Sequence, residues 1–448
     1  MPSWTASRKS PRGARRRTVE IVVAPAKTGA TDGFTPLDNR HRPRHNNTSS
    51  PAKRDFPMKN LPPFALAAAL AVAACSAPAA TEAAPADTAA LDASGEHPAV
   101  PLADAPFRVQ EIASFDEPWA MTFLPGTRAA LVTEKAGKLK LWQESGPTLD
   151  VTGVPAVAYG GQGGLGDVIV APDFATSGTI YLSWAEAGSG GTFGAVVGRA
   201  KLVQGAAPRL EGLEVIWKQT PKVTGRGHYS HRLAFSPDGR YLFIGSGERQ
   251  KFDPAQDMTG NLGKIVRLNP DGSIPADNPF AGEGGVTAQI WSLGHRNILG
   301  LAFDDSGRLW NQEMGPRHGD EVNLVEAKAN YGYPIVSNGD HYDGRDIPDH
   351  PTRPEFAAPK LWWNPAVSPA GLAYYGGDLY PGWKNSLLMG ALSGEGLVQM
   401  RIDGTALHKA GRWDFGTRIR EVEVREDGTV WLLTDGDDGR LVKLVPKR

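Results

Sequence analysis

Apolar residues in this chain fall in short runs, each closed by a turn rich in Gly, Asp or Pro and followed by a second apolar run. The theme appears six times: AMTFLPGTRAALVTE (120–134), DVIVAPDFATSGTIYLSW (167–184), RLAFSPDGRYLFIGSG (232–247), GLAFDDSGRLWNQEM (300–314), GLAYYGGDLYPGWKNSLLMGAL (371–392) and VEVREDGTVWLLTDG (422–436). The Asp-Gly and Ser-Gly pairs are hairpin chemistry, because glycine accepts the positive φ that such turns need. Long amphipathic helical patterns are nearly absent; 53 glycines and 36 prolines punctuate short strands instead. Six hairpins at spacings of roughly 45–75 residues predict an all-β fold, a six-bladed β-propeller over 105–448. A β-sandwich or a two-barrel arrangement is the structural alternative. The segments FRVQEI (107–112) and LVKLVP (441–446) are expected to share a blade and close the ring.

The pattern is different upstream. Residues 1–57 carry 12 Lys/Arg against 4 Asp/Glu with no apolar periodicity, so they are expected to be a disordered basic extension, outside the native product if translation begins at Met58. From Met58 the chain reads MKNLPPFALAAALAVAACSAPAA: a lysine, an apolar stretch too short for a permanent span, then small residues. Residues 58–74 are thus expected to be a lipoprotein signal peptide. Val72-Ala73-Ala74-Cys75 resembles a lipobox, which makes Cys75 the lipidation site. It is the single cysteine, so no intrachain disulfide forms. Residues 75–104, rich in Ala, Pro and Thr, are expected to be a flexible tether. These features imply an exported, periplasmic protein held at the outer membrane only by a lipid anchor. The body, 105–448, holds 35 Lys/Arg against 40 Asp/Glu, which gives no footprint for nucleic acid.

Candidate chemistry lies beside the strands. The stretch Ile290–Pro334 combines Arg296-Asn297, a Gly315-Pro316 corner, Asp320-Glu321 and Tyr331-Gly332-Tyr333. Such a set suits an anionic cofactor bound with a hard cation, since calcium takes carboxylate and carbonyl oxygens. GGQGGLGD (160–167) places Gln162 among glycines, GRGHYSHRLAF (225–235) places His228 and His231 before the third hairpin, ALSGEG (391–396) follows the fifth, and GTRIREV (416–422) carries Arg418 and Arg420 into the sixth. All fall on equivalent edges of their hairpins, which in a propeller face one channel mouth. No H-E-x-x-H or Cys/His pattern supports zinc, no Lys-Ser/Thr completes a phosphate loop, and no G-x-S-x-G elbow supports a serine hydrolase.

Taken together, GQGGLGDVIVAPDF, H-x3-RLAF, AQDMTGNLGKIVRLNPDGSIPADNPF, IWSLGHRNILG, EMGPRHGDEVNLVEAKANYGYP and RIREVEVREDGTVWLLTD resemble the PQQ-dependent aldose sugar dehydrogenases, bacterial relatives of soluble glucose dehydrogenase. The similarity runs through nearly all of 108–446, and it implies a six-bladed propeller that oxidises the anomeric carbon of an aldose to a lactone. It implies His228 as general base, Arg296 as the group stabilising charge on the quinone oxygen, and Gln162, Asn297, Tyr342, Ala391, Leu392, Ser393, Arg418 and Arg420 as cofactor contacts. It further implies a calcium on the carbonyls of Gly315 and Pro316, and a second, structural calcium at Glu321 and Tyr331. One position departs: relatives carry a lysine for a PQQ carboxylate where this chain has Ser393, and a serine brings no charge. His231 also stands where relatives have a small residue, which narrows or repolarises the substrate pocket. The implied partners are an aldose and an external electron acceptor, with the protein a monomer or a dimer. Two rivals stay open: a PQQ-free propeller that keeps calcium and binds sugars or proteins, and a calcium-dependent lactonase, which would use acids in the channel rather than this arginine set.

Overall fold

The computed structural model describes residues 98–447, so the basic extension, the signal peptide and Cys75 lie outside the described residues. Six sheets, antiparallel but for one short added strand, stand around a central channel. Each predicted hairpin supplies the first two strands of one blade: Pro118–Phe123 with Ala129–Glu134, Leu165–Val170 with Thr179–Ala187, Ser230–Phe235 with Leu242–Ser246, Ile298–Phe303 with Leu309–Glu313, Pro369–Tyr375 with Ser386–Ala391, and Ile419–Val424 with Val430–Thr434. The six-bladed propeller is therefore the fold, and the sandwich alternative falls.

The apolar runs are continuous rather than alternating because a propeller strand is covered on both faces by neighbouring blades. Accordingly, one buried cluster fills each junction between blades. Leu131, Leu139 and Val168 seal the first against the second, and Trp217, Ile244 and Val266 the second against the third. Met121, Trp142, Trp431 and Leu433 seal the sixth against the first. That last junction depends on the chain ends. Phe107–Phe115 pairs antiparallel with Gly439–Pro446, Phe107 opposite Pro446 and Phe115 opposite Gly439, so both termini of the propeller complete one blade.

The tether expected over 75–104 gives way to ordered structure before its end. Val100 and Pro101 pair in parallel with Trp413 and Asp414 on the outer strand of the fifth blade. The cause is apolar: Leu102, Ala105 and Phe107 pack into the cluster holding Trp383 and Trp413.

Charged side chains meet inside the channel. Arg232 donates from Nε to the Leu299 carbonyl (2.7 Å) and from Nη1 to Asp167 (3.4 Å) and Glu421, and its guanidinium lies 4.3 Å from the Trp119 ring centroid. These five residues come from five different blades. Burial pushes the Glu421 carboxyl up to about 7 and raises that of Asp167, with Arg232 opposing both. The hub fastens the inner strands beneath the mouth that carries the candidate residues.

Candidate active site

At one channel mouth the chain enters each inner strand and leaves each second strand. A cavity of about 300 Å³ opens there, lined by Gln162, Asn297, Leu392, Arg418 and Arg420 from the expected set, together with Trp119, Lys135, His231 and Asp435. This is the lower end of the size range for ligand pockets.

His228 and Arg296 are not in this lining; each adjoins it, His228 beside Tyr229 and bonded to Gln162, Arg296 beside Asn297. The His228 peptide N–H donates to Oε1 of Gln162 (2.6 Å), and its ring Nδ1 is hydrogen-bonded to the Glu248 carboxylate. His228, Ser230 and His231 all have positive φ (50°, 67° and 75°), a conformation that costs of order 1–3 kcal/mol per non-glycine residue and persists where the surroundings enforce it. Gly247 is part of that enforcement: a Cβ there would lie 2.1 Å from the His228 carbonyl oxygen, so only glycine lets the two turns touch. Glu248 is fully buried; its Oε2 accepts the N–H groups of Lys251 and Phe252, the latter at 2.8 Å. Burial works to raise its pKa, yet His228, the Phe252 N–H and the charge of Arg296 hold it below the usual range. For His228, burial is the largest influence and lowers the pKa; Glu248 opposes it, and Arg296 and Arg249 add to the lowering. The imidazole is thus a neutral base with its proton on the Glu248 side.

Arg296 belongs to the same surroundings. The Glu248 N–H donates to its carbonyl (2.9 Å), while its own N–H donates to Glu313 (2.6 Å) and its Nη1 to the Met314 carbonyl (2.9 Å). Nη2 lies 3.5 Å from the hydroxyl of the exposed Tyr342, and the guanidinium is 5.8 Å from the ring centroids of Tyr333 and Tyr342. Its buried Nε has no protein partner, which leaves a donor for a ligand or water. Glu313 is in turn held by Nδ1 of His295 (2.9 Å), whose Nε2 is hydrogen-bonded to Ser292 (2.9 Å), so His295 supports Arg296.

The other expected residues divide. Arg418 and Arg420 both turn to Asp435, each through Nε at 2.7 Å. Leu392 lines the cavity, but Ala391 is buried in the core between the fourth and fifth blades and Ser393 points to Ser368, Oγ to Oγ 2.8 Å. Ala391 therefore lies inward of the turn, and the exposed Ser393 is hydrogen-bonded within its own blade. His231 is buried between Tyr229 (stacked, 5.3 Å) and Trp119 (edge-on, 5.7 Å), with neither ring nitrogen partnered by protein. Burial, with Arg249 and Arg232 nearby, lowers its pKa to about 3, so it is neutral at any working pH.

The Gly315-Pro316 corner fits a calcium. Gly315 donates its N–H to Asp320 (3.0 Å), and among the described residues no N–H or O–H donates to the carbonyl of either corner residue. Two free carbonyls leave most of a six- to eight-oxygen shell to cofactor and water; indeed, no cage of three or more acids, histidines or cysteines is found among the described residues. Glu321 and Tyr331, expected to share a second ion, engage different groups. Glu321 faces His350 at 3.6 Å, while the Tyr331 hydroxyl donates to the Leu324 carbonyl (2.5 Å) and accepts from the Glu326 N–H (3.0 Å).

The family of glucose and sorbosone dehydrogenases matches residues 115–443. The chain belongs to that family. Aldose sugar dehydrogenase YliI of Escherichia coli K12 is 39% identical to this dehydrogenase over 340 residues, covering 74% of this chain and 91% of the relative. The apo-form soluble aldose sugar dehydrogenase from Escherichia coli superposes with a TM-score of 0.72 at 38% identity, over 76% of this chain and 100% of that one. A PQQ-bound aldose sugar dehydrogenase from Streptomyces coelicolor gives 0.63 at 27% identity, over 76% and 98%. This family member is an enzyme of the quinoprotein sugar dehydrogenase class.

Proposed function

We propose that the protein oxidises the anomeric carbon of aldoses to lactones with PQQ and calcium, using His228 as base. The observation that carries this reading is the His228–Glu248 pair, within the field of Arg296 and adjoining a cavity whose wall holds Lys135, Arg418 and Arg420. Glu248 holds the Nδ1 proton, which leaves Nε2 unprotonated to take the proton of the sugar's anomeric hydroxyl. Gln162 fixes the His228 backbone through Oε1 and keeps its amide N–H groups for the cavity. Arg296, immobilised by Glu313 and Met314, offers positive charge where an acceptor oxygen gains electrons. Arg418, Arg420 and Lys135 suit the carboxylates of a planar tricarboxylate, and Gly315 and Pro316 would hold calcium through their carbonyls. Bound PQQ supplies the two-electron acceptor for the hydrogen leaving the sugar carbon. Electrons then pass to an external acceptor.

The test is reconstitution. Protein incubated with PQQ and calcium is expected to show dye-linked aldose oxidation, and absence of both cofactor uptake and activity over a broad sugar panel would end the reading. The PQQ-free propeller draws support from Ser393, which brings no cation to the cavity; normal calcium binding without PQQ uptake would favour it. Export and lipid anchoring at Cys75 are proposed from the sequence, and mass analysis of the mature N-terminus checks them.

A further inference from the structure

Two features leave this cavity short of positive charge for a polycarboxylate. The fifth blade contributes only Leu392 to the wall, since Ser393 is bonded to Ser368. In addition, Arg418 and Arg420 share one counter-ion, Asp435, so three charged groups amount to a single net positive charge.

A third cation stands elsewhere in the same wall. Lys135 follows the second strand of the first blade, directly across from the sixth blade: its N–H donates to the Glu117 carbonyl (3.0 Å), and the Glu117 N–H donates to the carbonyl of Gly436, next to Asp435 (3.1 Å). Gly164 clears its path, because a Cβ there would lie 2.8 Å from the lysine Cγ. The ammonium ends 3.1 Å from Glu117 and 5.5 Å from the Tyr159 ring centroid, with the side chain 21% exposed. Glu117 also accepts the Tyr159 hydroxyl on its other oxygen. Lys135 can therefore leave Glu117 for another carboxylate without stripping Glu117 of its partners.

Resting on the PQQ reading above, we propose that Lys135 meets a carboxylate of the cofactor and replaces the charge that Ser393 does not supply. The cationic arc is thereby moved from the junction of blades five and six to that of blades six and one. Glu117 acts as the internal competitor that holds Lys135 when the cavity has no anion.

The experiment is a PQQ titration of the full chain with calcium present, followed by cofactor absorbance and by quenching of tryptophan fluorescence, Trp119 being in the wall. Lys135→Met is expected to weaken binding at least about tenfold, the loss of one charge-assisted contact. Lys135→Arg is expected to retain binding, Glu117→Gln to tighten it, and Ser393→Lys to restore it in the Lys135→Met background. An unchanged dissociation constant in Lys135→Met, with wild type binding PQQ, overturns the proposal and leaves the enzyme reading intact. No uptake by wild type overturns both.

Discussion

Glu248 holds the imidazole of His228 by Nδ1 while its own backbone N–H is bonded to the carbonyl of Arg296. One buried residue thus orients the base with its side chain and holds the backbone of Arg296 in the neighbouring blade with its N–H. Its removal has a specific consequence. Glu248→Gln keeps the shape but lets the ring take the other tautomer, so kcat is expected to fall on the order of 10²–10⁴-fold. His228→Ala should lose as much, and the double variant should lose little more. PQQ affinity, measured by titration, should stay near wild type in all three; a wild-type kcat in Glu248→Gln would reduce the acid to a packing role.

The pH profile follows from the same pair. The base works unprotonated, and burial lowers the His228 pKa below its usual 6.5. Activity is therefore present above the folded-state pKa and is lost as pH falls through it, so the acid limb of kcat/KM is expected below pH 6.5. Glu248 opposes the lowering, so Glu248→Gln should carry the limb further toward acid. A wild-type limb above pH 6.5 contradicts this account.

Calcium should depend on the bare corner. In Gly315→Ala the new Cβ would lie 2.2 Å from the Gly319 carbonyl oxygen and 2.3 Å from that of His318, forcing the loop open. Calcium affinity by calorimetry is expected to drop at least about tenfold. Thermal unfolding in chelator should also shift downward, since the corner is buried beside the strand that begins at Asp320; unchanged calcium affinity would remove the corner from the site.

The channel hub is a stability element. Arg232→Met leaves Asp167 and Glu421 buried without their cation, a loss of about 3–5 kcal/mol. Urea denaturation measures it. Adding Asp167→Asn and Glu421→Gln should recover much of the deficit, since the penalty belongs to uncompensated charge; no recovery would mean that the guanidinium acts by packing on Trp119.

The blades were legible because each Asp-Gly or Ser-Gly turn sits between two runs that are buried on both faces. Outer strands such as Arg209–Lys218 were not, since one face meets water and their pattern is broken by bulges. The site was half legible. Residues entering the inner strands (Gln162, His228, Arg296, Arg418) were picked out, whereas residues leaving the second strands were not. Lys135, Glu248 and Asp435 all occupy that exit position. Antiparallel pairing puts entry and exit on one edge, so the signal was present: VTEK, GSGE and LTDG are the ends of the same hairpins already identified. The tether boundary was misplaced because Leu102 and Phe107 find their apolar partners on a blade some 300 residues later.

Of the two strands that close the ring, Phe107–Phe115 precedes all six hairpins in the chain and Gly439–Pro446 follows them. While the chain is being synthesised, Phe107–Phe115 must wait for Gly439–Pro446, and the junction around Trp431 stays open to solvent until then. A nascent chain therefore carries an unfinished sheet edge until all six blades have emerged, so loss of Gly439–Pro446 would leave the first and sixth blades unsealed.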